Sequence, residues 1–256
     1  PNLKSLDISY NEISNIDLRN LKLEKLNISH QKEMSSIISY PFGLKILYAT
    51  DCSLKYVPNF TPSMNEVYLK NNIINDIPLL NRELIKLDLS NNYFKSIIIE
   101  HNSLEMLNIS NCVINGDNKI TLSCPKLINL KIKHNDLSVF KLGTHNLPNL
   151  KSLSLKGNNI NYFNGYSIPN SVDSVNLIGN PCITDDKIHT SRYNYEYIEG
   201  VYQKTIYDDD DDDIYNNNNK SIELLGLIDE KDKYSLPPNL NINMCSNNNE
   251  TPNKYH

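Results

Sequence analysis

Residues 84–92 read Leu-Ile-Lys-Leu-Asp-Leu-Ser-Asn-Asn, and this arrangement decides the fold. The pattern Leu-x-x-Leu-x-Leu-x-x-Asn, with other apolar residues at some leucine positions, recurs at spacings of 20 to 23 residues. A repeat of this length cannot bury its apolar face alone, so neighbouring copies must stack. We therefore predict a solenoid of about nine coils over residues 1–182. The coils begin at Leu3, Leu23, Leu44, Met64, Leu84, Leu104, Leu127, Leu150 and Val172.

The segment x-Leu-x-Leu-x of each copy alternates apolar and polar residues, which is the period of a β-strand. Stacked copies align these strands in parallel and bury one aliphatic residue per coil in a column. The spacing is too short for a full helix in each coil, so we expect extended or 3₁₀ segments on the outer side. The predicted core column is Leu6, Leu26, Leu47, Val67, Leu87, Leu107, Leu130, Leu153 and Val175.

Asparagine dominates the ninth position of the repeat, where the chain must turn sharply. A buried amide there can satisfy loop backbone groups, each of which would otherwise cost about 1–3 kcal/mol. Cys52 and Cys112 occupy this position in two copies, so each is expected to be a buried thiol in place of the amide. The predicted structural ladder is Asn11, Asn72, Asn92, Asn135, Asn158 and Asn180.

The nine copies resemble the leucine-rich repeat family over about 180 residues. The resemblance implies a right-handed solenoid of the α/β class, dominated by β-structure, with a parallel sheet on the concave face. It also implies recognition of a macromolecule by that face. Val57-Pro58 and Ile77-Pro78 resemble the short repeats of bacterial effectors. The motif is specific for the fold and says little about function.

The repeat pattern ends near residue 183. We expect residues 183–207 to form a C-terminal capping segment, and residues 208–256, acidic and Asn-rich, to be a largely disordered tail. Residues 1–182 hold 18 Lys and Arg against 15 Asp and Glu, whereas the remainder holds 7 against 15. Because the signs are opposite, the aspartates at 208–213 are expected to contact a basic patch on the solenoid.

Polar residues between the leucines should pave the concave face, and a few exceptions are candidates for binding a partner. Tyr48 and Tyr68 share one column, flanked by Ile46 and Met106, as a protein-binding hot spot requires. A cluster of lysines projects from the seventh and eighth coils and suits an acidic partner. The predicted partner-binding residues are Ile46, Tyr48, Tyr68, Lys70, Asp88, Met106, Lys131, Lys133 and Lys156.

The remaining patterns argue against catalysis. The six histidines are scattered, and the five cysteines include no Cys-x-x-Cys pair, so we expect no catalytic residue, metal or other cofactor. The solenoid lacks the high pI and the interleaved aromatic residues expected of a nucleic-acid-binding protein. No apolar run is long enough to predict a membrane span. We therefore expect a non-enzymatic, cytoplasmic scaffold that binds an unidentified protein. The alternatives are the recognition fragment of a larger effector or ubiquitin-ligase-type enzyme, and a secreted, host-delivered or receptor-type extracellular domain.

Overall fold

Short β-strands account for nearly all the regular structure in the computed structural model, which describes residues 2–32, 34, 36–57, 59–112, 120–141, 145–164, 169, 171–183, 188–189, 194–198 and 201–205. These strands are β1 (Ser5–Asp7), β2 (Asn15–Asp17), β3 (Lys25–Asn27), β4 (Ser36–Ser39), β5 (Ile46–Tyr48), β6 (Glu66–Tyr68), β7 (Lys86–Asp88), β8 (Ile97–Glu100), β9 (Met106–Asn108), β10 (Ile120–Ser123), β11 (Asn129–Lys131), β12 (Ser152–Ser154), β13 (Phe163–Asn164), β14 (Ser174–Asn176), β15 (Ile188–His189), β16 (Asn194–Ile198) and β17 (Val201–Thr205).

One long sheet collects a strand from every predicted coil. Within the described residues its order is β1-β3-β5-β6-β7-β9-β11-β12-β14-β17-β16, and the strands from β1 to β14 pair in parallel. The register repeats without a shift, so that Leu26 pairs with Leu47, and Leu87 pairs with Leu107. The predicted solenoid with its parallel sheet is thus confirmed.

The core consists of the leucine columns behind this sheet. Leu26, Leu47 and Val67 have no exposed surface, and Leu87 is 2% exposed. Each such side chain contributes about 1.5–3 kcal/mol through burial. Leu6 in the first coil is only partly buried, because it has a neighbouring coil on one side.

The outer side of the coils is extended, as the repeat length predicts. Three short parallel pairs lie there among the described residues: β2 with β4, β8 with β10, and β13 with β15. A single 3₁₀ turn within the described part covers Pro181–Ile183. No described helix has the length and apolar character needed to cross a bilayer.

Buried asparagines join consecutive coils at the ends of the strands. Asn72 Nδ2 donates to the backbone oxygen of Ala49 in the preceding coil at 2.8 Å and to that of Leu69 in its own coil at 2.9 Å. Its Oδ1 accepts from the backbone nitrogens of Cys52 and Leu54 at 3.1 and 3.0 Å. One amide therefore satisfies backbone groups of two coils. Equivalent inter-coil bonds are made by Asn92, Asn135, Asn158 and Asn180.

Three positions of this ladder differ from the rest. Asn11 is exposed and donates only to Ile8 and Ser9 of its own coil among the bonds that the described residues show. Cys52 and Cys112 are buried, and their thiols donate to the preceding coil at Ile28 O (3.1 Å) and Leu89 O (3.3 Å). A thiol has one hydrogen to donate, whereas an amide also accepts, so these coils have fewer cross-links.

A hairpin follows the last parallel strand. β17 pairs antiparallel with β14, with Val175 opposite Tyr202, and β16 pairs antiparallel with β17. The hairpin places backbone against the edge of β14, where a further coil would otherwise pair. The capping role of residues 183–207 and the boundary at residue 182 stay predictions. The predicted acidic tail, residues 208–256, and its contact with the basic patch lie outside the described residues.

Candidate functional site

Tyr48 and Tyr68 form a stacked pair on the concave face. They stand opposite each other on β5 and β6, with ring centroids 4.8 Å apart and planes within 3° of parallel. Neighbouring strands are separated by about 4.8 Å, so identical positions in successive coils place two rings at stacking distance. In-register repetition therefore builds the pair and holds each ring in place.

Charged neighbours fix both ends of the tyrosine pair. The Lys25 ammonium lies 5.3 Å from the centroid of the Tyr48 ring, within cation–π range. Tyr68 Oη donates to Glu66 Oε2 at 3.0 Å, and Glu66 also pairs with Lys86 Nζ at 3.0 Å. Burial, together with the Glu66 carboxylate, raises the pKa of Tyr68 above its ordinary value. The Tyr68 hydroxyl is therefore a protonated donor at neutral pH.

Two apolar side chains flank the tyrosines in the neighbouring column of the sheet. Ile46 is partly exposed beside Tyr48, and Met106 on β9 is 38% exposed. Glu66 and Lys86 stand between them in the same column. Exposed apolar and aromatic side chains within an otherwise polar sheet are typical of surfaces that bind the anchor residues of a partner protein.

Most other residues in the column that contains the tyrosines form hydrogen bonds that end their strands. We call it the second outward column, and its members are Asp7, Asn27, Tyr48, Tyr68, Asp88, Asn108, Lys131, Ser154 and Asn176. In five of them a side-chain oxygen accepts a bond from the backbone nitrogen two residues later, at 2.8–3.2 Å; these are Asp7, Asn27, Asp88, Asn108 and Asn176. Such bonds end each strand in an Asx turn. Tyr48, Tyr68 and Lys131 lack the acceptor for this bond.

Asp88 accordingly has a structural position within the candidate site. Its carboxylate accepts from the nitrogen and hydroxyl of Ser90 at 2.8 and 2.6 Å, and from Asn108 Nδ2 at 3.0 Å. Asp7 is held in the same way by Ser9 and Asn27, and these bonds lower the pKa of Asp7. A carboxylate with several donors has little capacity left for a partner.

The predicted lysines lie at, or just after, the ends of the neighbouring strands β11 and β12. Lys131 stands opposite Ser154 in the register of β11 and β12. Beyond the ends of these strands, the backbone nitrogen of His134 donates to the oxygen of Lys156 at 2.9 Å, which brings the chain at Lys133 beside Lys156. All three lysines are partly exposed, as is Lys70 three coils earlier. The lysines therefore form one basic cluster (Lys131, Lys133 and Lys156), separate from the tyrosine pair.

A column of left-handed residues borders the concave face, and sequence reasoning missed it. The residue before the ninth repeat position has φ between 52° and 73° in every coil: Tyr10, His30, Asp51, Asn71, Asn91, Asn111, His134, Gly157 and Gly179. Asn, Asp, His and Gly tolerate this conformation best, so their recurrence at one position was the available signal. Tyr10 stacks on His30 at 4.3 Å, and His30 Nδ1 lies 3.2 Å from Asp51 Oδ2.

The buried groups His101, Cys52 and Cys112 have structural partners. His101 Nε2 lies 2.6 Å from the oxygen of Asn81, and Nδ1 accepts from the backbone nitrogen of Leu104 at 3.1 Å. Burial raises the pKa of the Cys52 thiol to about 11 and that of Cys112 to about 12. A thiol with a raised pKa is a poor nucleophile. No group of three or more His, Cys, Asp or Glu among the described residues could hold a metal ion.

In-register stacking of the Leu-x-x-Leu-x-Leu coils gives this chain the leucine-rich repeat solenoid fold. No family model matches it. It is similar to "Ras guanine nucleotide exchange factor V" of Dictyostelium discoideum, at 26% identity over 216 residues, or 68% of this chain and 10% of that protein. It is also similar to "Putative leucine-rich repeat protein R380" of Acanthamoeba polyphaga mimivirus, at 28% identity over 154 residues, or 59% of this chain and 34% of that one.

Among solved structures, the chain is similar to YopM from Yersinia enterocolitica WA-314, at 17% identity and a TM-score of 0.31. That match covers 69% of this chain and 56% of YopM. The chain spans about a tenth and about a third of the two curated relatives that it matches.

Proposed function

We propose that this protein is a non-enzymatic scaffold that binds another protein through the concave face of its sheet, with Tyr48 and Tyr68 at the centre of the contact. One observation carries the proposal. In a column where most residues end their strand with a side-chain hydrogen bond, two adjacent coils instead carry aromatic rings that serve neither the core nor the turns.

The pair suits recognition because it is already ordered. Each tyrosine has few rotatable bonds, and the two rings restrict each other by stacking. Little side-chain entropy is therefore lost when a partner binds. The Tyr68 hydroxyl, which donates its hydrogen to Glu66, can still accept a hydrogen bond from a partner. Ile46 and Met106 extend the apolar contact to either side.

Affinity capture with matched variants tests the proposal. The bait is Tyr48→Ser/Tyr68→Ser. Serine is chosen because the second outward column already contains a serine, Ser154. The control bait is Tyr56→Ser/Tyr93→Ser, which removes two tyrosines that are 58% and 54% exposed outside the outward columns. We expect the concave double variant to lose the proteins that wild type and control retain.

Retention of every captured protein by a folded concave variant would contradict the proposal. Folding is checked by circular dichroism and a cooperative urea transition, because loss of the solenoid would remove any binding trivially. The two variants delete the same atoms, so a difference between them reports the location of the contact.

A second candidate function is the recognition part of a larger protein. The similarity to a Ras guanine nucleotide exchange factor favours it, because the matched stretch is about a tenth of that relative. In this case the repeats select a partner and another domain acts on it. Sequencing the complete transcript tests this candidate: a catalytic domain in the same reading frame supports it, and a frame holding repeats alone contradicts it.

We further propose that the protein works in a reducing compartment, with the cytoplasm as first choice. Cys52, Cys112, Cys124 and Cys182 are buried free thiols in the structure. Free thiols persist where glutathione keeps them reduced. Alkylation of these cysteines after acid trapping and unfolding supports the proposal, whereas a disulfide-linked form in freshly lysed cells contradicts it.

A further inference from the structure

Charge divides the concave face into two halves. The first five coils carry equal numbers of lysines and carboxylates in their outward columns: Lys25, Lys70 and Lys86 with Asp7, Glu66 and Asp88. The outward columns of the sixth to ninth coils, all of them described, carry the basic cluster and no carboxylate. The second half is therefore positive, and the tyrosine pair lies in the neutral half.

The carboxylates of the first half are already bound. Glu66 pairs with Lys86, and Asp88 accepts bonds from Ser90 and Asn108. In the second half, the nearby carboxylate of Asp173 lies 3.7 Å from Lys151, outside the outward columns. The outward columns of the second half thus contribute three lysines and no carboxylate to the potential of this face.

The sheet also sets the distance between its two features. Tyr68 on β6 and Lys131 on β11 share the second outward column and are separated by three strand spacings, or about 14 Å. An extended peptide that crosses the strands advances about 3.4 Å per residue, so about four residues cover this span. Met106 lies between the two features, in the neighbouring column.

We infer that the partner contributes an extended peptide segment with an apolar anchor on the tyrosine pair and acidic residues, beginning about four positions away, on the basic cluster. This inference rests on the proposed function and names the chemistry of the partner. Salt dependence follows from it, because exposed charge pairs are screened over about 10 Å at 0.1 M salt.

A single-stranded nucleic acid fits the same face poorly. Bases bind such grooves by stacking on aromatic rings. Tyr48 has one ring face against Tyr68 and the other beneath Lys25. The outward columns of the sixth to ninth coils contain no aromatic residue and no arginine. The basic cluster therefore has no stacking platform beside it, and an acidic peptide is the better match.

Fluorescence anisotropy with synthetic peptides tests the inference. The probe carries Leu-Phe, a Gly-Ser spacer and a run of alternating Asp and Glu, with spacers of about one, four and ten residues. A second series replaces the acidic residues by lysine. We expect the acidic probe with the middle spacer to bind most tightly, and to weaken when salt rises from about 50 to about 300 mM. The lysine series should not bind.

Matched variants connect that binding to the basic cluster. Lys131→Ser/Lys133→Ser/Lys156→Ser introduces the residue that other coils carry at these positions, so the sheet should be retained. Lys22→Ser/Lys95→Ser/Lys126→Ser removes the same charge from exposed positions outside the outward columns. The first triple variant should weaken the acidic probe about tenfold, and the second should change it less than about twofold.

Equal binding of acidic and lysine peptides overturns the inference, as does equal weakening by the two triple variants. Tighter, lysine-dependent binding of a thymidine oligonucleotide also overturns it. If no acidic peptide binds while Tyr48→Ser/Tyr68→Ser still loses captured partners, the inference is wrong and the proposed function stands. If that double variant retains every partner, the proposed function itself is wrong.

Discussion

The imidazole of His134 lies over the backbone of Gly157 in the next coil, where a Cβ atom on Gly157 would stand 2.1 Å from Nδ1. Both residues are left-handed, with φ of 52° and 67°. The pair shows how the solenoid tolerates variation at this position. A side chain in one coil occupies space that a glycine in the next coil leaves open.

Gly157→Ala should therefore destabilise the protein more than Gly179→Ala. Both substitutions place alanine at positive φ, at a cost of about 1–2 kcal/mol. At Gly179 the new Cβ meets only Gly157, at 3.5 Å or more, whereas at Gly157 it overlaps the His134 ring and costs about 1–3 kcal/mol more. Urea unfolding measures both. The additional destabilisation by Gly157→Ala should vanish when His134→Ala is added. Additional destabilisation that persists in the presence of His134→Ala would contradict the steric explanation.

Asn92→Ala should lower the free energy of unfolding by about 3 kcal/mol, because it leaves buried backbone groups of two coils without partners. Asn92→Cys should cost less, since cysteine occupies the equivalent position at Cys52 and Cys112. Asn11→Ala is the control and should cost below about 1 kcal/mol, because Asn11 is exposed. Equal costs at Asn11 and Asn92 would contradict the inter-coil role.

Leu87→Ala should cost about 2–5 kcal/mol, because the rigid neighbouring coils cannot close the cavity. Leu6→Ala removes the same atoms from the first coil, where the side chain is partly exposed, and should cost less. Chemical denaturation compares the two. A larger loss at Leu6 would show that the first coil is packed more tightly than the structure indicates.

Stability should fall in alkali partly through the buried thiols. Burial raises the pKa of Cys52 to about 11 and of Cys112 to about 12, above the value of about 8.5 for an exposed thiol. The folded chain holds these protons more tightly than the unfolded chain. Their contribution is complete below about pH 8.5 and is lost as the pH rises towards 11 to 12.

Unfolding of wild type and Cys52→Asn/Cys112→Asn at about pH 8 and about pH 10.5 measures this effect. Asparagine is the residue at the same repeat position in Asn72 and Asn92, so the fold should be kept. Wild type should lose more stability between the two pH values than the double variant. An equal loss of stability in both proteins would show that groups other than Cys52 and Cys112 cause the sensitivity to alkali.

Periodicity alone was enough to predict the core columns. The predicted pairing of Leu26 with Leu47 and of Leu87 with Leu107 follows from spacing, because any other register would expose leucine. The sequence also predicted that Tyr48 and Tyr68 lie side by side, because in-register strands place equivalent repeat positions next to each other. Their ring geometry was not, because side-chain torsions depend on neighbours such as Lys25 and Glu66.

Local hydrogen bonding explains what sequence reasoning missed. Asp88 stays a predicted partner-binding residue, and the sequence did not reveal that Ser90 and Asn108 also donate hydrogen bonds to its carboxylate. The left-handed residue in each coil was not predicted, because four residue types and Tyr10 share the position, so that no single residue marks it. The antiparallel pairing of β17 with β14 breaks the repeat, so no periodic signal pointed to it.

The most direct test of the central claim is calorimetric titration of a captured, purified partner with three forms of this protein: wild type, Tyr48→Ser/Tyr68→Ser and Tyr56→Ser/Tyr93→Ser. We expect Kd to rise about tenfold or more for the concave variant and less than about twofold for the control. Equal Kd values for wild type and the concave variant, with both folded, would contradict the claim that Tyr48 and Tyr68 form the centre of a binding surface.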